Sequence, residues 1–288
     1  MTGTDASATP PPTARRMWWL LEPVHSVTYF APEARAASEA AGLRGFWRGY
    51  FACRAAPLGP VGAAPVTAAF FAFAPGMVAR ALPGVWQLAM PETALAVRAR
   101  GAGAALRRLL AGHEPAAEEA VALLRPVTGA LDIAGRVLAA ANAALPLPAH
   151  PLDELWHHAT VLREHRGDGH VAALVTADLD GCEALLLRSG IDLPRGELQP
   201  HRGWTDDEWT AARARLTARG LLDADGVATD DGRAAHRSLE AATDLAAARP
   251  WSALSPADLD RLSAVLSAPA HACAAALPYP NPTGAPAP

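Results

Sequence analysis

Residues 155–174, LWHHATVLREHRGDGHVAAL, hold His157, His158, Glu164, His165, Asp168 and His170. Half of the ten histidines of the chain lie between His150 and His170. On a helix His158 and His165 are seven residues apart and share one face, and His157 and Glu164 share the neighbouring one. Imidazoles and carboxylates so placed suit three chemistries. His157, Glu164, His165 and His170 are acceptable ligands for zinc, iron or copper, although their spacing matches no HExxH or other compact motif. Arg163 or Arg166 offers a carboxylate clamp, and His165 or His170 a titrating group, in a small-molecule pocket. In the third reading the groups are structural: Asp168 caps a helix, Glu164 pairs with an arginine, and the histidines are hydrogen-bonded between two halves of the chain. RGD at 166–168 is a chance match.

A counterpart lies near the start. Glu22, His25 and Tyr29 in LLEPVHSVTYFAPEA follow i, i+3, i+7 spacing and share a helical face, with Glu33 beyond them. If the two halves of the chain face each other, this face and that of 157–170 line one cavity. Trp18, Trp19, Phe30, Phe46, Trp47, Phe70 and Phe71 are then its candidate walls, although aromatic residues at helical spacing most often form plain core. The candidate ligand-binding set is therefore Glu22, His25, Tyr29, His157, Arg163, Glu164, His165, Asp168 and His170. The residues identify no cofactor and no metal ligand set. No GxSxG, phosphate-loop or dinucleotide fingerprint is present; GAGAAL at 101–106 lies inside a helical pattern and lacks the third glycine.

Mostly helical elements must position these groups. Apolar periodicity and punctuating prolines and glycines predict helices over 15–29 (broken or bent near Pro23), 32–41, 43–55, 66–73, 75–86, 91–111 and 115–145 (kinked at Pro126). The proline-rich 146–151 marks a domain boundary. Beyond it a helix over 152–166 is expected to stop at Gly167, with Asp168 capping a second one to about 177. A helix over 180–189 and a loop follow. Thr205 and Glu208 then form a capping-box pattern, with Trp204 and Trp209 at hydrophobic-staple spacing. Two short extended pieces flank an Asp225-Gly226 turn, and helices over 232–248 and 257–266 close the chain. Residues 1–14 and 277–288, rich in Pro, Gly, Ser and Thr, read as disordered tails. They leave a first domain over 15–145 and a second over 152–276.

Composition narrows the function. A chain of 288 residues that is 51% hydrophobic and 19% charged buries a sizeable core. A net charge of −4 gives no general attraction to nucleic acid. Every basic side chain is arginine, which excludes a Schiff-base or phosphate-loop lysine. Cys53, Cys182 and Cys273 are too scattered for a disulfide framework or a zinc ribbon. RRMWWLLEPVH imitates an export signal, but Glu22 and His25 cut its apolar run short, and charges or prolines interrupt every candidate span. The expected location is the cytoplasm, with no membrane contact.

Residues 208–242 carry a resemblance. EWTAARARLTARGLLDADGVATDDGRAAHRSLEAA is similar to a MarR-type winged helix-turn-helix, with Arg219, Gly220, Leu221, Leu222, Thr229, Gly232 and Arg233 at its helix-end, wing and following-helix positions. The likeness covers roughly 152–250, and the whole chain also resembles an actinobacterial group of SalK-type helix-turn-helix proteins. AASEAAGLRG at 36–45 aligns with AALVTADLDG at 172–181, which makes the first half a degenerate copy of the second. The resemblance thus implies a mainly α fold of two winged-helix-like halves, the first degenerate and the second with a short β-wing, about a pseudo-two-fold axis. It also implies a transcription regulator. Against that, Asp206, Asp207 and Glu208 would meet the phosphates at the start of the recognition helix, which opposes DNA binding. The favoured expectation is a small-molecule-binding protein on a MarR-like scaffold, a sensor or biosynthetic accessory, monomeric or homodimeric. A DNA-binding regulator and an enzyme using a His/Glu/Asp or metal site are the alternatives.

Overall fold

A computed structural model describes residues 12–279. The first half begins with α1 (Thr13–Phe30), α2 (Pro32–Ala40) and α3 (Phe46–Ala55), continues through α4 (Ala63–Phe70) and α5 (Pro75–Ala79), and ends with α6 (Pro91–Leu109), α7 (Glu114–Gly129) and α8 (Val137–Ala143). The second half begins with the long α9 (Pro151–Thr176), followed by α10 (Gly181–Ser189), α11 (Arg195–Leu198) and α12 (Asp206–Ala218). Two long helices, α13 (Asp230–Ala248) and α14 (Pro256–Ala274), complete it.

The capping chemistry read from the sequence around Thr205 is present. The Thr205 hydroxyl accepts the Glu208 N–H at 3.2 Å, and the Glu208 carboxylate accepts the Thr205 N–H at 2.8 Å. Asp180 and Glu183 build a second capping box at the start of α10.

Several boundaries differ from expectation. Pro23 lies within α1 without ending it. The 115–145 helix is two helices, because α7 stops three residues past Pro126 and an irregular stretch precedes α8. The stretch expected as helices over 66–73 and 75–86 is α4, a turn at Phe71, the short α5 and a 3₁₀ turn over Gly84–Gln87. The last helix runs on through Pro269 to Ala274. Of the expected tails, Pro12 precedes α1 and Thr13 and Ala14 open it, and Leu277, Pro278 and Tyr279 are described, with Pro278 lining the cavity reported below; the rest of both tails lies outside the described residues.

The largest correction is α9. Gly167 does not terminate it, and Asp168 does not cap a successor: the helix is continuous over 26 residues. Each interior glycine costs a helix about 1 kcal/mol relative to alanine, so packing must offset two of them. It does, because α9 is enclosed by α1, α6, α7, α8 and α13. Gly169 has a structural use: a Cβ there would stand 2.8 Å from the Arg136 guanidinium and 3.0 Å from Ala246. That room lets Arg136 donate to the carbonyls of His165 (2.6 Å) and Ala246 (2.5 Å), tying α9 to α13.

Among the described residues there is no β-strand. The expected wing is a single bridge between Leu222 and Ala228. The Asp223 carboxylate accepts the N–H groups of Asp225 and Val227, closing the turn so tightly that one residue pair fits between its arms. Three apolar clusters form the interior. One draws on α1, α6, α7, α9, α13 and α14, one on the α2–α6 region with Leu138 of α8, and one on α10–α12 and the bridge. Among the described residues no helix is long and apolar enough to cross a membrane.

Candidate functional site

A cavity of about 590 Å³ opens between the α1–α4 side and the α9–α13 side of the molecule. That volume suits a drug-sized molecule. Tyr29, Phe30, Phe46, Trp47, Tyr50, Phe70, Phe71 and Phe73 form an aromatic wall; Val171, Leu174, Leu185, Leu193, Leu198 and Leu239 face it. The aromatic wall is continuous: Phe46 stacks on Tyr50 with ring centroids 6.2 Å apart, and Phe73 meets Trp47 at 5.8 Å and Tyr50 at 5.5 Å. Helical spacing produces it, since Phe46, Tyr50 and Arg54 recur every four residues on one face of α3.

Behind this wall lies a buried ionic network. Arg54 binds Glu164 through two parallel bonds, Nε to Oε1 and Nη2 to Oε2, both 2.9 Å, with the side chains 8% and 2% exposed. Such fork-to-fork pairing is the strongest geometry for two side chains of this type. Arg163 also donates to Glu164 at 3.0 Å, and its Nε lies 3.6 Å from Glu22. Glu22 in turn accepts from Trp18 (2.9 Å) and Ser26 (3.1 Å). Burial alone would push both carboxyls up, but the guanidiniums outweigh it and hold Glu164 and Glu22 well below the usual carboxylate range. His25 bonds Thr160 through Nδ1 and Tyr29 through Nε2, each at 3.0 Å. Burial, helped by the Arg163 charge, brings its pKa down to about 3, so this imidazole is neutral.

Of the nine candidate residues, five meet in one buried cluster: Glu22, Arg163 and Glu164 are joined by ion pairs, and His25, bonded to Tyr29, lies within the field of all three, with Tyr29 and Arg163 in the cavity wall. His170 lines the same cavity from α9. The Thr243 hydroxyl donates to the Leu239 carbonyl, so its oxygen accepts from His170 Nδ1–H at 2.9 Å and leaves Nε2 as an acceptor. Burial lowers the His170 pKa to about 4. The other three lie elsewhere. His157 sits beside His158 and Arg98, and His165 beside Asp132 and Arg136; burial brings each to about 4. Asp168 accepts the Ala139 N–H at 2.9 Å and so caps α8 from outside. Burial raises its pKa to about 6 despite that bond. Among the described residues no group of three His, Cys, Asp or Glu side chains converges as a metal site. Of the predicted wall aromatics, Trp18 instead stacks on Arg166 at 4.1 Å, and Trp19 is absent from the cavity wall.

Sequence reasoning missed Arg54, Tyr50, His201 and Arg202. Arg54 was discoverable as the one charge four residues after Tyr50 in an aromatic run. Arg202 lies in a loop that carries no periodic signal; its guanidinium is 4.8 Å from the Phe73 ring centroid. Also unforeseen was the turn at Phe71, whose φ of 54° and ψ of −59° close an Ala72 N–H to Phe70 carbonyl bond of 2.6 Å. This is the rare γ-turn, a strained conformation for a side-chain-bearing residue. Three contacts hold it: Trp204 Nε1 donates to the Ala72 carbonyl (3.0 Å), Ala74 N–H to the Arg202 carbonyl (2.8 Å), and Gly181 packs its bare Cα against the Phe71 carbonyl.

The segment from α10 to α12 adjoins the cavity. α10 packs on α12, and Ala184, Leu185 and Leu198 of α10 and α11 line the opening. The exposed first turn of α12 carries Asp206, Asp207 and Glu208. Arg215 of α12 pairs with Asp180 (2.5 Å) and Glu183 (2.7 Å), and Arg219, just past the helix, donates to the carbonyls of Asp178 (2.6 Å) and Ala177 (3.2 Å), although both guanidiniums stay solvent-accessible. Arg213 remains exposed. Neither a curated protein nor a solved structure matches the chain. A model of a helix-turn-helix family matches residues 14–280, nearly the whole described length, and the protein belongs to that helix-turn-helix family.

Proposed function

We propose that this protein binds a small organic molecule in the aromatic cavity and acts as a sensor or biosynthetic accessory on a helix-turn-helix scaffold. One observation supports this reading: about 590 Å³ of space is walled by rings on one side and by α9, α10, α11 and α13 on the other. A folded protein fills its interior closely, so a void of this size beside a strained turn needs a use. In this reading α10–α12 and the bridge at 222–228 are a reduced winged unit of MarR type. The first half is its degenerate partner across a pseudo-two-fold axis, with Gly45 before α3 corresponding to Gly181 at the start of α10. The ligand set is Tyr29, Arg163 and His170 in the wall, supported by Glu22, His25 and Glu164. His157, His165 and Asp168 contribute to the framework of α9.

The test is a thermal-shift screen of metabolites on the wild type and on Val171→Trp, which fills the cavity from α9. A ligand that binds only the native state raises Tm, and one present at 100 times its Kd adds about 2.7 kcal/mol. Compounds that shift the wild type and not the filled variant support the reading; shifts identical in both defeat it.

Family membership supports a second reading, DNA binding as a regulator. The acidic start of α12 and the internally paired Arg215 and Arg219 weigh against it. Retardation of duplex DNA at low salt, lost steeply as salt rises, would favour it.

A further inference from the structure

The charges around the cavity are ordered as well as paired. Arg54 and Arg163 stand in its wall; the carboxylates that partner them, Glu164 and Glu22, stand behind and are not part of it. The positive end of each pair therefore faces the space. Donors remain available there. A guanidinium has five N–H groups. In Arg54 two bonds go to Glu164 and one to the Tyr50 hydroxyl (3.0 Å). Arg163 makes one hydrogen bond, to Glu164. Arg202 adds a third guanidinium to the same wall, above the Phe73 ring. The field there is positive: burial lowers the Arg202 pKa, and repulsion from Arg54 and Arg163 lowers it further against the opposing pull of Tyr50. Acids on the cavity wall lie toward other partners. Glu240 binds Arg166 and Arg15, and Glu197 is exposed.

We infer that the ligand is an anion with an aromatic or similarly flat apolar body, its acid group held by Arg163, Arg54 and Arg202 and its body against the Phe46, Trp47, Tyr50 and Phe73 rings. A carboxylate, sulfonate or phosphate ester would satisfy the remaining N–H groups of Arg54 and Arg163. A cationic ligand would meet repulsion, and a purely apolar one would leave buried donors without partners. This inference rests on the cavity being a binding site.

Two dyes with one skeleton separate the two claims: 8-anilinonaphthalene-1-sulfonate and its uncharged parent, N-phenyl-1-naphthylamine, titrated by fluorescence against the full-length protein. A merely apolar cavity would favour the uncharged dye, because the sulfonate loses hydration on entry. The expected result is sulfonate binding about tenfold or more tighter, the scale of a charge-assisted hydrogen bond. In Arg202→Gln, and more strongly in Arg163→Gln, that advantage should fall at least several-fold while binding of the uncharged dye is unchanged. Equal or tighter binding of the uncharged dye overturns the anion assignment and leaves the cavity reading standing. A preference that survives both substitutions also overturns it, by placing the anion elsewhere. Absence of binding by either dye removes the cavity reading itself. Arg202 is only partly buried, so Arg202→Gln supplies a folded variant should Arg163→Gln not fold.

Discussion

Replacing Glu164 with glutamine isolates the charge at the centre of the network. The amide keeps the size of the carboxylate and one acceptor oxygen. It presents an NH₂ group, however, to one of the Arg54 donors that Oε1 and Oε2 now accept at 2.9 Å, and it removes the counter-charge shared with Arg163. Removing one partner of a buried pair costs about 3–5 kcal/mol, because the other charge stays buried without compensation. Such a loss is a large part of the roughly 5–15 kcal/mol by which domains are stable. Urea denaturation at pH 7 should show the midpoint falling with little change in slope. The pH dependence has a definite sign. Arg54 and Arg163 hold the Glu164 carboxyl below its unfolded value against the opposing effect of burial. Its contribution is therefore fully present above the unfolded pKa of about 4.3 and is lost as pH falls through the lower folded value. The gap between wild type and Glu164→Gln should be constant from about pH 6 to 8 and narrow in acid below about pH 4. The double variant Arg54→Met/Glu164→Met, which removes both charges, should be more stable than Glu164→Gln alone. A Glu164→Gln protein within about 1 kcal/mol of wild type at pH 7, or a gap that widens toward acid, would refute this account of the network.

Asp168 titrates in the opposite sense. Its folded pKa of about 6 lies above the unfolded value, so its stabilising contribution is complete below about pH 4 and disappears as pH rises through 6. Asp168→Asn, which retains an acceptor for Ala139, should flatten the stability profile between pH 4 and 7 in calorimetric scans. Gly181→Ala places a methyl against the Phe71 carbonyl and should cost about 1–3 kcal/mol, seen as a lower Tm. It should also weaken dye binding, since it displaces the turn that carries Phe70 and Phe71. Thr205→Ala removes the acceptor for the Glu208 N–H and should cost about 1 kcal/mol in thermal unfolding followed by circular dichroism.

Local rules were legible where local chemistry decides. Thr205 with Glu208 and the turn around Gly226 (φ 85°) follow from nearby residues alone. So does the shared face of Glu22, His25 and Tyr29, because helical geometry fixes it before any packing occurs. Gly167 shows where that reasoning stops. Glycine followed by aspartate is a sound helix-end signal, but it ranks below the burial of a 26-residue helix enclosed on several sides. The wing failed for a related reason. Resemblance predicts strands, whereas the Asp223 side chain completes a turn that leaves one bridging pair.

Continuity of α9 changes the chemistry available to the site. A break at Gly167 would have left Asp168 and His170 free to fold back beside Glu164 and His165, assembling an acid–imidazole cluster of the metal-binding or proton-transfer kind. In an unbroken helix the same residues are distributed around the axis at 100° per step. His170 lines the cavity and Glu164 stands behind its wall with Arg54 and Arg163, while His165 lies beside Asp132 and Arg136 and Asp168 accepts from the start of α8. The histidines that first drew attention are thereby separated and held neutral by burial. The groups that remain charged beside the cavity are guanidiniums backed by carboxylates. A site built this way has fixed donors and an aromatic surface. Those properties support the proposed binding of an acid, and they follow from one helix not ending where its sequence proposes.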